Sequence, residues 1–536
     1  MVSLKLFAMT NFSYWSRSAL VVSQAVSLIF QFVHHPIHSS TLELMPEESI
    51  DLLIRQKNIS EYNPNKIEKD LIERLTDLRS RVESVAVTMS LSECLDYGIR
   101  NNYDLAAAYA SIQKYEYSLI AQKRQYYPTL NLSSLPPFLG KVYVSTTETQ
   151  QVSEAVSINP NGTVQSQLAT VSDTEDQQLE QFAPYLTMSW SFFQPSLPAT
   201  ISSARSTLNQ QRLAFDVSAR SAILNMQQSY FGLQSAKSLI DDFEKIYQIN
   251  LEQVKYIQKR HEAGLIDVGA VDQSRSQLYD QASDLIEYYK SYLENAAKLA
   301  FAMNAPGSLI VLPSDKFDIA GEWREDVALT VANALAMREE IEEYLESADA
   351  SIWSARAAIR SYLPELMLQG YAYAYNQNGL SDKLDYSSQY YFGAIGLGVS
   401  WNIFDGGVKA AEANAYKSEA KSLHRQADYA RQSVKHQVRN AYAAHEASQL
   451  NLLNSRLNLV ASSNSLKVNR SRFSVGLADI TSLVQAMQLF GEATQQYNYA
   501  ILNYNTSLAE LYRYSAKWPG RTETIVKQTR RELRRD

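Results

Sequence analysis

Three kinds of residue could do chemistry in this chain, and none of them stands in a catalytic arrangement. The seven histidines are His34, His35, His38, His261, His424, His436 and His445. None belongs to an HExxH or sits at ligand spacing from carboxylates, so they offer no metal or hydrolytic site. His445-Glu446 reads as a polar helix face. The lone cysteine, Cys94, excludes an internal disulfide framework and any CxxC metal site. It also fits an oxidising compartment, where stray thiols are a hazard. No G-x-x-x-x-G-K-[ST] and no G-x-S-x-G is present, so no energy-coupling or nucleophile-elbow site is written here. An enzyme is not expected, nor a metal or cofactor. What does recur is an acid behind a turn: "RHEAGLID" at 260–267 and "RFSVGLAD" at 472–479 end on Asp267 and Asp479.

Bulk composition narrows the class. At 536 residues the chain is too long for one ordinary core, and 45 % hydrophobic with 20 % charged residues excludes disorder as the default. A net charge of −7, from 50 basic and 57 acidic residues, gives no case for nucleic acid binding. Lys5 and Arg17 precede "SALVVSQAVSLIFQFV" (18–33) and then "HHPIHSS", a basic region, an apolar run and a break. This reads as a signal peptide over 1–40, without an A-x-A pattern to mark cleavage. The alternative is a membrane-anchor helix. No cysteine lies near 33–41, so a lipid anchor is not supported. Past residue 40 there is no apolar run of about 20 residues, hence no ordinary transmembrane helix.

The chain repeats itself. "SWSFFQP" (189–195) returns as "SWNIFDG" (400–406), Trp190 to Trp401 being an offset of 211. The glycine-leucine turns lie 212 apart (Gly264 to Gly476), and "RQYYPTLNL" (124–132) returns as "RSYLPELML" (360–368), 236 apart (Pro128 to Pro364). Three matches in one order make two tandem halves. The difference of 25 falls in "STTETQQVSEAVSINPNGTVQSQLATVSDTEDQQ" (145–178), a polar stretch that reads as a loop. Each half reads helix, strand, polar loop, strand, long helix, Gly-Leu turn, helix. The spacing predicts helices over 91–125, from 195–198 to 261, and on to 304, with strands at 129–135, resuming near 140–146, and at 184–194. In the second half it predicts helices at 326–362, 408–472 and 478–515, and strands at 365–375 and 390–404. No glycine occurs from 408 to 475 and no proline from 365 to 518. Helices of 60–68 residues would be ~90–100 Å long, longer than any compact domain, with apolar residues such as Leu453, Leu457, Val460 and Leu466 at coiled-coil spacing.

The strands carry the sharper signal. In "IGLGVSWNIFDGG" (395–407) Ile395, Leu397, Val399, Trp401 and Ile403 fall on one side and Gly396, Gly398, Ser400 and Asn402 on the other. Leu186, Met188, Trp190 and Phe192 alternate in the same way with Thr187, Ser189 and Ser191. Four strands cannot enclose an interior, and a bare apolar face in water is a liability. Either the face packs on helices, or several chains pool strands into a membrane barrel, apolar outside and polar inside. The two tryptophans near strand ends suit the second arrangement.

Taken in order, "NNYDL" (101–105), "RQYYPTLNLS", "SWSFFQP", "RHEAGLID", "SWNIFDGG" and "RFSVGLADI" resemble the TolC-type outer-membrane efflux protein family over roughly residues 88–516. The resemblance implies a mainly α fold with transmembrane β: a homotrimer whose protomers each give four strands to a twelve-stranded β-barrel in the lipid bilayer. The long helices would form a hollow α-barrel reaching across the periplasm. It implies an outer-membrane channel of a tripartite export system, partnered by a periplasmic adaptor and an inner-membrane pump, ABC or proton-driven. Cargo would be small molecules or, by type I secretion, proteins. It further implies adaptor-contacting hairpin tips, here Gly264 and Leu265, and Val475, Gly476 and Leu477. The nine apolar strand residues named above would face lipid, and Asp405-Gly406-Gly407 would turn strand into helix.

A trimer would ring the pore end with Asp267 and Asp479, favouring cations. Charge complementarity at a helix N-terminus explains the same residues equally. At the family's acidic constriction this chain departs from the pattern: the matching positions are Ser482 and Gln485, both uncharged, and Asp272 is the nearest acid in the first half. The domain plan is a signal peptide (1–40), a periplasmic extension (41–87), repeats at 88–305 and 326–516, a linker (306–325) and a basic tail (517–536) read as solvated and disordered. The reading from another class is a soluble or membrane-anchored coiled-coil scaffold.

Overall fold

The computed structural model describes residues 67–534, apart from 159, 163, 308 and 382–384. The signal segment and most of the N-terminal extension lie outside the described residues. In each half the helix predicted before the first strand is two helices. In the first half they are α2 (Leu91–Asn101) and α3 (Tyr103–Arg124), following α1 (Ile67–Val85) and β1 (Val87–Met89). Ser90 and Glu93 form a reciprocal capping box at the start of α2. Asn102 then interrupts the helix in an extended conformation, and its Oδ1 accepts from Leu105 N at 2.9 Å, so one residue ends α2 and caps α3. Arg338 does the same between α6 (Val327–Met337) and α7 (Glu339–Arg360), though without a side-chain cap. Asn102 and Arg338 are 236 apart, the offset of the two prolines.

The sheet is larger than the sequence pattern indicated. β2 (Thr129–Ile158) and β3 (Val164–Phe193) form one antiparallel hairpin, paired from Thr129↔Ser189 to Ile158↔Val164 with two irregularities. The polar stretch 145–178 is therefore strand, not loop. Its few apolar residues, such as Val152, Leu168 and Val171, are scattered and exposed among Thr, Ser and Gln, so no one-sided periodicity betrays it. β5 (Glu365–Ser381) and β6 (Asp385–Ser400) form the second hairpin, and the order β2-β3-β5-β6 leaves β2 and β6 as open edges. Strand 390–404 was expected to include Trp401 and Ile403; β6 ends at Ser400 and both lie in the irregular segment after it. A separate parallel pair, β1 with β4 (Val311–Pro313), ties the start of the first repeat to the segment expected as a linker.

Each strand-to-helix corner is pegged by a tryptophan. Trp190 Nε1 donates to the Tyr126 carbonyl at 2.7 Å, and Trp401 Nε1 to the Tyr362 carbonyl at 2.8 Å. In both halves the indole at the end of the second strand thus fixes the turn leading into the first. At the second corner Asp405 accepts from Gly407 N, Lys409 N and Tyr362 Oη. Gly406 and Gly407 take φ of 70° and 87°, which leads directly into a helix.

The long helices are α4 (Leu197–Glu262, 66 residues) and α8 (Val408–Ser474, 67 residues), paired through tight turns with α5 (Val268–Ala302) and α9 (Ile480–Tyr514). On α8 the buried positions Ala413, Ala420, Ala427, Val434, Ala441 and Ser448 recur every seventh residue. That period makes a left-handed coiled coil, and its small side chains let helix axes approach closely. His445, expected on a polar face, is buried at the α8–α9 contact. Its Nδ1 lies 3.0 Å from Ser507 Oγ, its ring 4.9 Å from that of Tyr504, and burial pushes its pKa down. The Ser507 hydroxyl and, at 3.3 Å from Nε2, the Gln449 amide meet the two imidazole nitrogens, so the core accepts it neutral.

The basic tail is likewise ordered. α10 (Thr522–Glu532) buries Thr522, Val526 and Thr529, and Glu532 accepts from Arg100 Nη1 at 2.9 Å. One of its cations pairs across to another helix, Arg530 Nη1 lying 3.7 Å from Asp216, and another pairs along its own, Lys527 with Glu523.

The corner supplies a prediction. Nothing lies within 4 Å of a Cβ built at Gly407, so Gly407→Ala meets no clash and costs only the left-handed backbone penalty, about 1–2 kcal/mol. Gly396→Ala, in extended backbone with the same free space, should be close to neutral. Denaturant unfolding of the two variants in detergent checks the contrast.

Candidate functional site

The two hairpin tips are built alike, as the repeated sequence requires. α4 closes with Gly264 N donating to the His261 carbonyl (2.8 Å) and Leu265 N to the Arg260 carbonyl (2.9 Å). α8 closes with Gly476 N to Phe473 O (3.1 Å) and Leu477 N to Arg472 O (2.8 Å). Bonds of this span need a left-handed residue at the glycine, and φ is 73° at Gly264 and 79° at Gly476. The glycines therefore hold the turn, and the residues beside them are thrown outward. Leu265 is 67 % exposed, Val475 69 % and Leu477 79 %. Two leucines and a valine standing in solvent on rigid turns make an apolar anchor for a partner surface.

Asp267 and Asp479 each begin the returning helix. Asp267 Oδ1 accepts from Ala270 N and Asp479 Oδ1 from Ser482 N, both at 2.9 Å. Those bonds from Ser482 hold the Asp479 carboxyl below its ordinary pKa. The helix-terminus role is thus present within one chain. Ser482 and Gln485 are exposed on α9, one turn apart.

An arginine missed by the sequence reading ties the tips together. Arg260 Nη1 donates to the Phe473 carbonyl at 3.1 Å, and its guanidinium lies 5.5 Å from the Phe473 ring and 5.8 Å from Tyr256. Beneath it Ile257, Ala270, Val271, Phe473, Leu483 and Met487 form a small core. His261 Nδ1 lies 2.8 Å from the Ile266 carbonyl across the first turn. The available signal was the arginine common to both motifs, but Arg472 is exposed and only Arg260 reaches across.

The sheet aligns its apolar residues across strands. Leu130 opposes Met188, which opposes Gly370, which opposes Ile395; one step along, Trp190 opposes Leu368 and Leu368 opposes Leu397; Leu366 then opposes Val399. Directly paired residues share a face, so these side chains form one apolar band four strands wide. Ile395, Leu397 and Val399 are 70 %, 78 % and 69 % exposed. Trp401, Ile403 and Phe192 are also exposed, while Leu186, Met188 and Trp190 are half-buried. The other face carries Asn131, Thr187, Ser189 and Gln369, and then a patch of touching rings from Tyr185, Tyr371, Tyr373, Tyr390 and Phe392. That aromatic patch had no counterpart in the sequence reading, because the tyrosines there sit at the polar positions of the alternation.

No described helix is long and apolar enough to cross a membrane, and among the described residues no group of three His, Cys, Asp or Glu could hold a metal.

Removing the guanidinium at the tip isolates its contribution. Arg260→Ala should destabilise the tip by about 1–3 kcal/mol, the range for a charge-assisted bond with its ring contact. Hydrogen exchange should then rise at 257–273 and 473–487 and stay unchanged in the sheet.

Comparison with known proteins gives three findings. The family model described as "Outer membrane efflux protein" matches residues 98–305 and 317–517. Solved structures share the fold. The CmeC outer membrane channel of Campylobacter jejuni is 15 % identical with a TM-score of 0.60, over 83 % of this chain and 89 % of that one. The outer membrane protein VceC of Vibrio cholerae is 14 % identical with a TM-score of 0.59, over 80 % and 96 %. The open state of the Neisseria gonorrhoeae MtrE outer membrane channel is 17 % identical with a TM-score of 0.57, over 80 % and 89 %. No curated protein sequence matches the chain.

Proposed function

The chain belongs to the outer membrane efflux protein family, and from that premise we propose that it is the passive outer-membrane conduit of a tripartite export system. The observation that carries this reading is the apolar band across a four-stranded sheet whose two edges are open. One chain can neither cover that band nor pair those edges. Three copies would do both, edge β6 of one pairing with β2 of the next, to give a closed barrel of 3 × 4 strands. Ile395, Leu397, Val399, Trp401 and Ile403, with Leu186, Met188, Trp190 and Phe192, would then meet lipid. Gly396, Gly398, Ser189 and Thr187 would line the lumen. The 66- and 67-residue helices, each ~100 Å long, would continue the tube through the periplasm.

With no phosphate-binding loop in the sequence, the work of transport falls to a partner pump. The exposed tip residues Leu265, Val475 and Leu477, raised on Gly264 and Gly476, would dock a periplasmic adaptor between pump and channel. In the trimer Asp267 and Asp479 would bring six carboxylates to that mouth. Ser482 and Gln485 replace an acidic constriction with neutral hydrogen-bonding groups, so closure would rest on contacts such as Arg260 with Phe473. A neighbouring gene for an ABC exporter would mark protein cargo, and one for a proton-driven pump small molecules.

Purified protein reconstituted into planar bilayers should give discrete channels of uniform size; recovery in the soluble fraction without channels would overturn the reading. Leu477→Asp should leave conductance intact and abolish adaptor capture and export. Asp479→Asn keeps a capping oxygen but removes the charge. It should therefore fold normally and lower cation selectivity, and an unchanged reversal potential would leave Asp479 as a helix cap alone.

A further inference from the structure

Where α9 ends and α7 begins, α4, α7, α8 and the last turn of α9 enclose a cleft of about 470 Å³. Its ionisable lining is unbalanced. Arg338 and Arg513 both line it, with side chains only 6 % and 10 % exposed. Between them they hold one carboxylate. Arg338 donates to Glu340 from Nη2 (2.8 Å) and Nε (3.0 Å), and Arg513 Nη2 donates to Glu340 Oε1 (2.9 Å). Burial alone would raise the Glu340 pKa, but the bonds and charges of Arg338 and Arg513 outweigh it and hold the pKa at about 2. At neutral pH the lining therefore carries two positive charges and one negative.

The hydrogen-bond inventory shows the same imbalance. Arg338 Nη1 is satisfied by Gln437 Oε1 at 2.7 Å. Arg513 Nη1 is buried and has no hydrogen-bond partner among the described residues. A buried cationic N–H without an acceptor is among the costlier arrangements in a folded protein. The cleft is also where α7 starts; its N-cap, Arg338, offers no side-chain oxygen to the first-turn N–H groups, and the first-turn acids Glu339, Glu340 and Glu342 offset the helix dipole there. The nearby acid Glu339 is held in a two-pronged pair by Arg220 and does not line the cleft. Three neutral residues that carry donors also line it, Asn225, Tyr344 and Tyr429, the last standing largely in solvent at its rim.

We propose that this cleft binds a small oxyanion, a carboxylate or phosphate group, at Arg513 with Asn225, Tyr344 and Tyr429 around it. The bound anion would balance the second positive charge of the lining, would supply the acceptor that Nη1 lacks once a shift of the Arg513 side chain opens that nitrogen to the cleft, and would tie four helices together at the level where the helix layer changes partners. This does not depend on the transport reading, and it is tested without transport.

The detergent-solubilised full chain would be titrated calorimetrically with sodium phosphate and separately with sodium acetate, at constant ionic strength set with chloride. The expected result is saturable binding at one site per chain, with a parallel rise in thermal midpoint. Phosphate alone, acetate alone or both would identify the preferred oxyanion, and each supports the site. Arg513→Gln should abolish binding. Arg513→Lys keeps the pair with Glu340 and should bind at least tenfold more weakly, which reads the site even if Arg513→Gln does not fold. No saturable binding of either ion, or binding undiminished in Arg513→Lys, would overturn the proposal.

Discussion

The structure turns on an apolar surface that one chain makes and cannot bury. Four antiparallel strands bring Leu130, Met188, Trp190, Leu368, Ile395, Leu397 and Val399 into one band, at roughly 25 cal/mol for each Å² of apolar area that leaves water. No described helix packs over it. The open edges add unpaired backbone groups to the same problem. Closure with further copies in an apolar medium, as proposed, would meet both demands. Features that look unconnected in sequence follow from it.

The first of these is the corner between sheet and helix. A tilted strand must become a near-straight helix without an unsatisfied turn in between. Trp190 and Trp401 solve this twice with the same bond, indole N–H to a carbonyl just before a strand. The second half adds Asp405 and two left-handed glycines, where the first uses Gln194, Pro195 and a proline near the start of α4. The duplication is thus structural as well as sequential, and the halves keep the peg while changing the turn. A second consequence is the alanine-rich heptad of α8. The deep core lies around α4, with Tyr230, Met226 and Leu233 fully buried, and along α8 close approach through Ala413, Ala420 and Ala427 stands in for bulk burial. Polar pairs fill what remains, among them His445 with Ser507 and Asn498 with Ser235, each satisfied across a helix contact.

Much of this was legible in the order of residues. The two halves, the long helices, the Gly-Leu turns and the one-sided strand follow from local signals, period, punctuation and repeat, while the family was legible as a resemblance carried by the order of the motifs. Glycine at 264 and 476 is readable because a left-handed turn needs it whatever surrounds it. The acids at 267 and 479 were readable only as a pair of possibilities, and the structure supplies the cap because hydrogen bonding to Ala270 and Ser482 is local.

The sequence by itself determined where the chain must turn, which segments are helix, and which strand face is apolar, since each depends on neighbours a few residues away. Only the tertiary structure decided how far the polar hairpin 145–178 continues, that the basic tail docks as a helix, that His445 is buried, and that Arg260 reaches Phe473. The same holds for the arginines around Glu340. These are contacts between polar groups, most of them dozens to hundreds of residues apart. A polar side chain has no periodicity that reveals its partner, and whether it faces water or another chain segment is settled only when distant helices are brought side by side.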